Sequence, residues 1–81
     1  MEKSIRSPEH AKLCRILREL REEADLRQSD LGARIGEPQR FVSGYERGEL
    51  RLDLVQLDRI TTALGSSLEE LLRRYREVTG A

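Results

Sequence analysis

Apolar residues recur along this chain at helical spacing, and turn signals interrupt them at intervals that predict five short helices. Ser7 followed by Pro8 is a helix start: a side-chain cap, then a residue whose missing N–H costs nothing in the first turn. Leu13, Ile16, Leu17, Leu20 and Ala24 follow as one apolar stripe, with Lys12, Arg15, Arg18, Glu19, Glu22 and Glu23 on the opposite side. A shorter second helix is expected from about Gln28 to Ile35, burying Leu31 and Ile35 and ending at a left-handed Gly36. Gly32 weakens it by about 1 kcal/mol relative to Ala, which implies close approach of a neighbouring helix as compensation.

Pro38 is expected at the first position of a third helix that turns Val42 and Tyr45 inward and closes at Gly48. Gln39, Arg40, Ser43 and Gly44 are then left facing outward. Asp53 caps a fourth helix carrying Leu54, Leu57, Ile60 and Leu64 to Gly65. Ser67 and Glu70 have capping-box spacing and announce a fifth, with Leu68, Leu71, Leu72 and Tyr75 on one side, running to about Val78. Some of that apolar side exceeds what a monomer covers. The pattern gives an all-α domain over 8–79 after a flexible N-terminal segment, 1–7.

Composition narrows the function. A chain of 81 residues builds one core, and with only Phe41, Tyr45 and Tyr75 as aromatics that core rests on Leu, Ile, Val and Ala. No run approaches the roughly 18 apolar residues of a membrane span, and Met1 to Pro8 lack a signal-type apolar segment, so a cytoplasmic protein is expected. Cys14 stands alone and reads as a small apolar residue; no Cys/His set has metal-ligand spacing, and no cofactor is expected. His10, the single histidine, has no nucleophile or matching carboxylates around it, which argues against an enzyme.

Fifteen basic residues balance fifteen acidic ones. Within 28–51, Arg34, Arg40, Arg47 and Arg51 face Asp30, Glu37, Glu46 and Glu49, so folding itself must create any positive face for phosphates.

Two helices joined by a short turn containing Gly, the second with a polar outer face, are what major-groove recognition requires. Residues 17–72 resemble the lambda-repressor-like helix-turn-helix family, also called Cro or XRE. The resemblance is carried by Q-x-x-L-[small] at Gln28 to Gly32, the Gly36 turn, V-S-x-[apolar]-E-x-G from Val42 to Gly48, and A-L-G-x-S-x-x-E-L-L from Ala63 to Leu72. It implies a compact five-helix domain whose second and third helices form the motif.

By that resemblance Gln28 anchors a phosphate and Gln39 is the first base-reading residue, its amide suited to an adenine edge, with an ordinary surface residue at a helix start as the alternative for Gln39. Arg40 is placed to grip a phosphate or a guanine, or to serve only as a surface charge. Ser43, one turn after Gln39, meets a base edge or a backbone oxygen. Arg47 and Arg51 take the places of loop residues that approach the DNA backbone, with idle surface charge as the alternative for each. Gly44 belongs to the same face where a second base-reading side chain often projects; its bareness implies fewer base contacts or readout of DNA shape. By the same resemblance Arg21 and Glu46 correspond to a partly buried salt bridge that sets the recognition helix, the alternative being two solvated charges.

The chain also departs from the family. Arg27 stands where Ser or Thr usually caps the second helix, leaving the capping to Asp25 or water, and Glu37 puts a negative charge near the phosphate path. Phe41, beside the reading face, has three readings: a thymine methyl, a second subunit, or packing within the chain, the last being favoured.

These residues predict sequence-specific binding of double-stranded DNA by a homodimeric transcriptional regulator, paired through the fifth helix from Leu68 to Val78. The alternative is a protein-interaction module on the same fold, such as an antitoxin or a phage accessory protein, and such a protein partner is compatible with DNA binding.

Overall fold

The computed structural model describes residues 7–80, with side chains from Ser7 to Glu77. Positions 1–6 of the expected flexible segment, the Val78 side chain and Ala81 lie outside the described residues. Five α-helices and no strands make up the described chain: α1 Pro8–Glu23, α2 Gln28–Ile35, α3 Gln39–Glu46, α4 Leu54–Ala63 and α5 Leu68–Gly80.

Local chemistry sets most of the boundaries. Ser7 Oγ accepts the His10 N–H at 3.1 Å, so α1 begins with a side-chain cap ahead of Pro8. Its far end turns at Asp25, whose φ of 60° is left-handed, a region that Asp tolerates better than most residues. Asp25 therefore closes α1 and does not cap α2. The capping of α2 falls to Asp30, whose carboxylate accepts the Arg27 N–H at 2.9 Å and the Arg27 guanidinium at 3.1 Å. Gly36, with φ 72°, ends α2 as its position implied.

Pro38 sits one position earlier than expected: it is the extended residue flanking α3, with φ −70° and ψ 158°, and Gln39 is the first helical residue. Asp53 and Gln56 cap α4 reciprocally, each side chain accepting the other's N–H at 2.8 Å. Only half of the box expected for α5 forms. Ser67 Oγ accepts the Glu70 N–H at 3.0 Å, but the Glu70 carboxylate turns instead to Arg73 and Arg74, at 2.7 and 2.9 Å.

The core forms where Ile16, Leu17 and Leu20 of α1 meet Leu31 and Ile35 of α2, Val42 and Tyr45 of α3, Ile60 and Leu64 around α4, and Leu71 of α5. Here α2 packs against α3 and α4, α1 against α3 and α5, and α4 against α5. The Phe41 ring packs edge-on against Tyr45 with centroids 5.6 Å apart, on the flank of the core. Burial pushes the Tyr45 phenol well above its ordinary pKa, and its hydroxyl has no hydrogen-bond partner among the described residues.

Two residues of the apolar stripes point outward: Leu54 is 67% exposed and Leu72 is 51% exposed. Both border a groove of about 550 Å³ that also touches Leu13, Leu57, Leu68 and Tyr75, so the apolar excess lies across α4 and α5 together. Arg74 fastens α5 to the end of α1 through a bidentate ion pair with Glu23, at 2.7 and 2.8 Å.

Candidate nucleic-acid interface

The attitude of α3 is fixed first by backbone packing. The Glu37 N–H donates to the Gly32 carbonyl at 2.9 Å, drawing the turn onto α2 so closely that a Cβ at Gly32 would lie 2.6 Å from the Glu37 oxygen. The expected close approach is therefore made by the turn leading into α3, from Glu37 to Gln39, and not by the body of a neighbouring helix.

The second constraint is electrostatic. Arg21 on α1 forms a fork with Glu46 at the end of α3, Nε to Oε2 at 2.7 Å and Nη2 to Oε1 at 3.0 Å. The side chains are 11% and 4% exposed, so the pair is taken largely out of water. The remaining Arg21 nitrogen donates to the Leu26 carbonyl at 2.8 Å, tying the α1–α2 link to the same guanidinium. Its hydrogen bond to Glu46 raises the Arg21 pKa further above the usual arginine range.

From this pair a line of hydrogen bonds runs outward. Gln28 Nε2 donates to Glu46 Oε1 at 2.9 Å, and Gln39 Nε2 donates to Gln28 Oε1 at 2.6 Å. Gln28 is half-buried at the start of α2 and Gln39 is exposed at the start of α3. The two amides, 11 positions apart in sequence, thus share one edge of the motif.

Ser43 lies one turn beyond Gln39, where its hydroxyl accepts a hydrogen bond from Arg47. Arg47 in turn pairs with Glu49, at 3.0 and 2.9 Å, and that hydrogen-bonded contact raises its pKa. Arg47 is therefore occupied within the chain, and a phosphate must displace Glu49 to engage it. Sequence spacing alone signalled this competitor, two residues after the arginine.

Arg40 and Arg47 border a shallow hollow of about 420 Å³ beside α3, with Glu37 and Glu49 on its edge. Arg40 is exposed. Arg51 is also exposed, but borders the apolar groove between α1, α4 and α5 and does not line the hollow beside α3.

Gly44 requires a correction. It does not face outward: it is buried, and a Cβ there would come within 3.1 Å of Leu50 Cδ1. Leu50 folds back from the loop after α3 and covers it, so the missing side chain accommodates packing and leaves no bare patch on the outer side of α3.

Other chemistry is accounted for by packing. Cys14 is buried with Sγ 3.6 Å from His10 Nε2, and burial pushes its thiol pKa up, which keeps it protonated. Among the described residues no cluster of three metal-ligating side chains occurs, and no helix is long and apolar enough to cross a membrane.

Comparison with known proteins agrees with this geometry. The helix-turn-helix family matches residues 17–71. Among solved structures, the wild-type restriction-modification controller protein C.Esp1396I superposes with a TM-score of 0.82 at 22% identity, over 88% of this chain and 93% of that one. The same controller protein has been solved as a tetramer in complex with its natural 35 base-pair operator. The clp gene regulator ClgR from Corynebacterium glutamicum superposes with a TM-score of 0.80 at 21% identity, over 93% of this chain and 96% of that one. HppE matches at 32% identity with a TM-score of 0.70, over 76% of this chain but 35% of its own, so the likeness concerns one part of that longer protein. No curated protein matches the chain. With its two-helix motif braced by Arg21 and Glu46 and the family matched across both, this chain belongs to the lambda-repressor-like, Cro/XRE-type helix-turn-helix family of DNA-binding regulators.

Proposed function

We propose that the protein is a sequence-specific transcriptional regulator that binds double-stranded DNA in the cytoplasm as a homodimer, inserting α3 of each subunit into the major groove. The observation that carries this reading is the placement of Gln39: exposed at the first turn of α3 and hydrogen-bonded to Gln28, which is itself anchored on the buried Glu46. A major groove about 12 Å wide admits one helix, whose N-terminal residues meet the base edges. Gln39 and Ser43 are the base-contacting side chains in this proposal, while Gln28, Arg40, Arg47 and Arg51 approach phosphates. Gly44 contributes backbone shape alone, since Leu50 covers it. The operator complex solved for the controller protein supports binding of double-stranded DNA by this fold.

The homodimer reading rests on Leu54, Val55 and Leu72, large apolar side chains left 67%, 66% and 51% exposed on α4 and α5. Pairing two copies across this surface buries it and sets two recognition helices on successive grooves about 34 Å apart.

Selection from randomised duplex DNA, followed by affinity measurement across salt concentrations, tests the proposal. A regulator enriches one palindromic sequence and binds it far more tightly than random duplex. Steep salt dependence without an enriched sequence would reduce the activity to non-specific phosphate attraction. Absence of DNA binding would favour the interaction-module reading, for which the pairing of Arg47 with Glu49 and the zero net charge speak.

A further inference from the structure

The end of α3 folds a carboxylate back onto its own arginine. After Arg47 the chain turns at Gly48, whose φ is 79°, and the Glu49 N–H donates to the Gly44 carbonyl at 2.9 Å while Leu50 packs over Gly44. Backbone and packing together thus hold Glu49 beside the last turn of the helix. There Arg47 Nε and Nη2 donate to the two Glu49 oxygens at 3.0 and 2.9 Å, and Arg47 Nη1 donates to Ser43 Oγ. All three guanidinium nitrogens are engaged within the chain. The fork that fits a carboxylate in this way is the one that would otherwise take two phosphate oxygens.

We infer that Glu49 is an intramolecular substitute for a DNA phosphate, which masks Arg47 and holds the affinity for every duplex below what α3 could otherwise reach. The inference rests on the proposed use of α3 as the DNA-reading helix. Both side chains are about half exposed, at 57% and 49%, and an ion pair so open to water is weak. Glu49 therefore lowers affinity without abolishing it. Two effects act together: the pair must open before Arg47 can meet a phosphate, and the released carboxylate then stands beside the negative backbone. Phosphate contacts carry no sequence information, so the masking acts alike on a selected duplex and on random DNA. Glu37 and Arg40 border the same hollow but take no part in the fork.

The test is the affinity of the parent, Glu49→Gln, Arg47→Gln and the double variant for the selected duplex and for random duplex, measured across salt concentrations. Removing any acidic charge near DNA strengthens binding somewhat, so Glu37→Gln, which deletes the same charge from the same rim, measures that general gain. Glu49→Gln is expected to bind both duplexes about fivefold more tightly at low salt, with the slope of log affinity against log salt steeper by about one. Arg47→Gln is expected to cost little in the parent and about fivefold in the Glu49→Gln background. A Glu49→Gln gain no larger than that of Glu37→Gln, or one that persists undiminished without Arg47, overturns the masking. In that case a preference that Gln39→Ala abolishes would leave the reading of α3 standing. If neither the parent nor any variant binds either duplex, the DNA-binding reading fails, and the masking with it.

Discussion

Gly32 and Glu37 meet through their backbones: the Glu37 N–H bonds the Gly32 carbonyl at 2.9 Å, and no side chain fits between the glycine Cα and the Glu37 oxygen. Alanine there would gain about 1 kcal/mol of helix propensity. Against this, a Cβ 2.6 Å from a backbone oxygen forces the turn off α2, and such overpacking costs about 1–3 kcal/mol. Gly32→Ala is therefore expected to lower the urea midpoint and weaken DNA binding, because the turn that aims α3 has moved. A variant as stable as the parent would show that this contact does not hold the turn.

The buried fork between Arg21 and Glu46 predicts strong non-additivity. Arg21→Met leaves the Glu46 carboxylate buried without its counter-ion, a loss of about 3–5 kcal/mol. Adding Glu46→Leu removes the stranded charge, so the double variant is expected to regain much of that stability in urea denaturation. Costs that simply add would mean that the two groups do not act as a pair.

The ion pairs of α5 predict acid sensitivity. The Arg74 guanidinium holds the Glu23 carboxyl below the ordinary carboxylate range, and Arg73 and then Arg74 bring Glu70 down to about 2. A carboxyl whose pKa is lower folded than unfolded contributes stability above the unfolded value and loses it as pH falls through the folded one. Stability should therefore decline as the pH drops from about 4.5 toward 2, and Arg74→Gln should flatten that decline by lowering stability at pH 7, so that parent and variant converge toward pH 2. Denaturation midpoints across this range measure it; parallel pH profiles for parent and variant would contradict it.

The exposed leucines predict the oligomeric state. Leu72→Glu puts a charge on a half-exposed position of α5, with little effect on the folded monomer but a desolvation penalty in any pairing across that surface. Light scattering should find two chains in the parent and one in the variant. A dimeric variant, or a monomeric parent, would exclude this surface as the interface.

The helices and their inward faces were readable because apolar spacing and caps are local signals: Ser7 with Pro8, Gly36 and Asp53 each act within one turn of where they stand. The misreadings arose where distant parts of the chain decide. Gly44 occupies an outer helical position until Leu50 folds over it. Arg27 lacks the oxygen of a normal cap, and only the folded turn shows Asp30 reaching back to its N–H. In the site, the family resemblance named Gln28 and Gln39 separately. Their contact, and the dependence of both on Glu46, arises from the tertiary turn at Gly32 and could not be obtained from spacing.

The most direct measurement is the affinity of the parent, Gln39→Ala and Ser43→Ala for the selected duplex and for duplexes carrying each of the three other base pairs at every position. The account predicts that Gln39→Ala loses about 1–3 kcal/mol on the selected site and its discrimination at one base pair, with binding to random duplex unchanged. Equal losses on all duplexes, or none on any, would contradict the assignment of α3 as the reading helix.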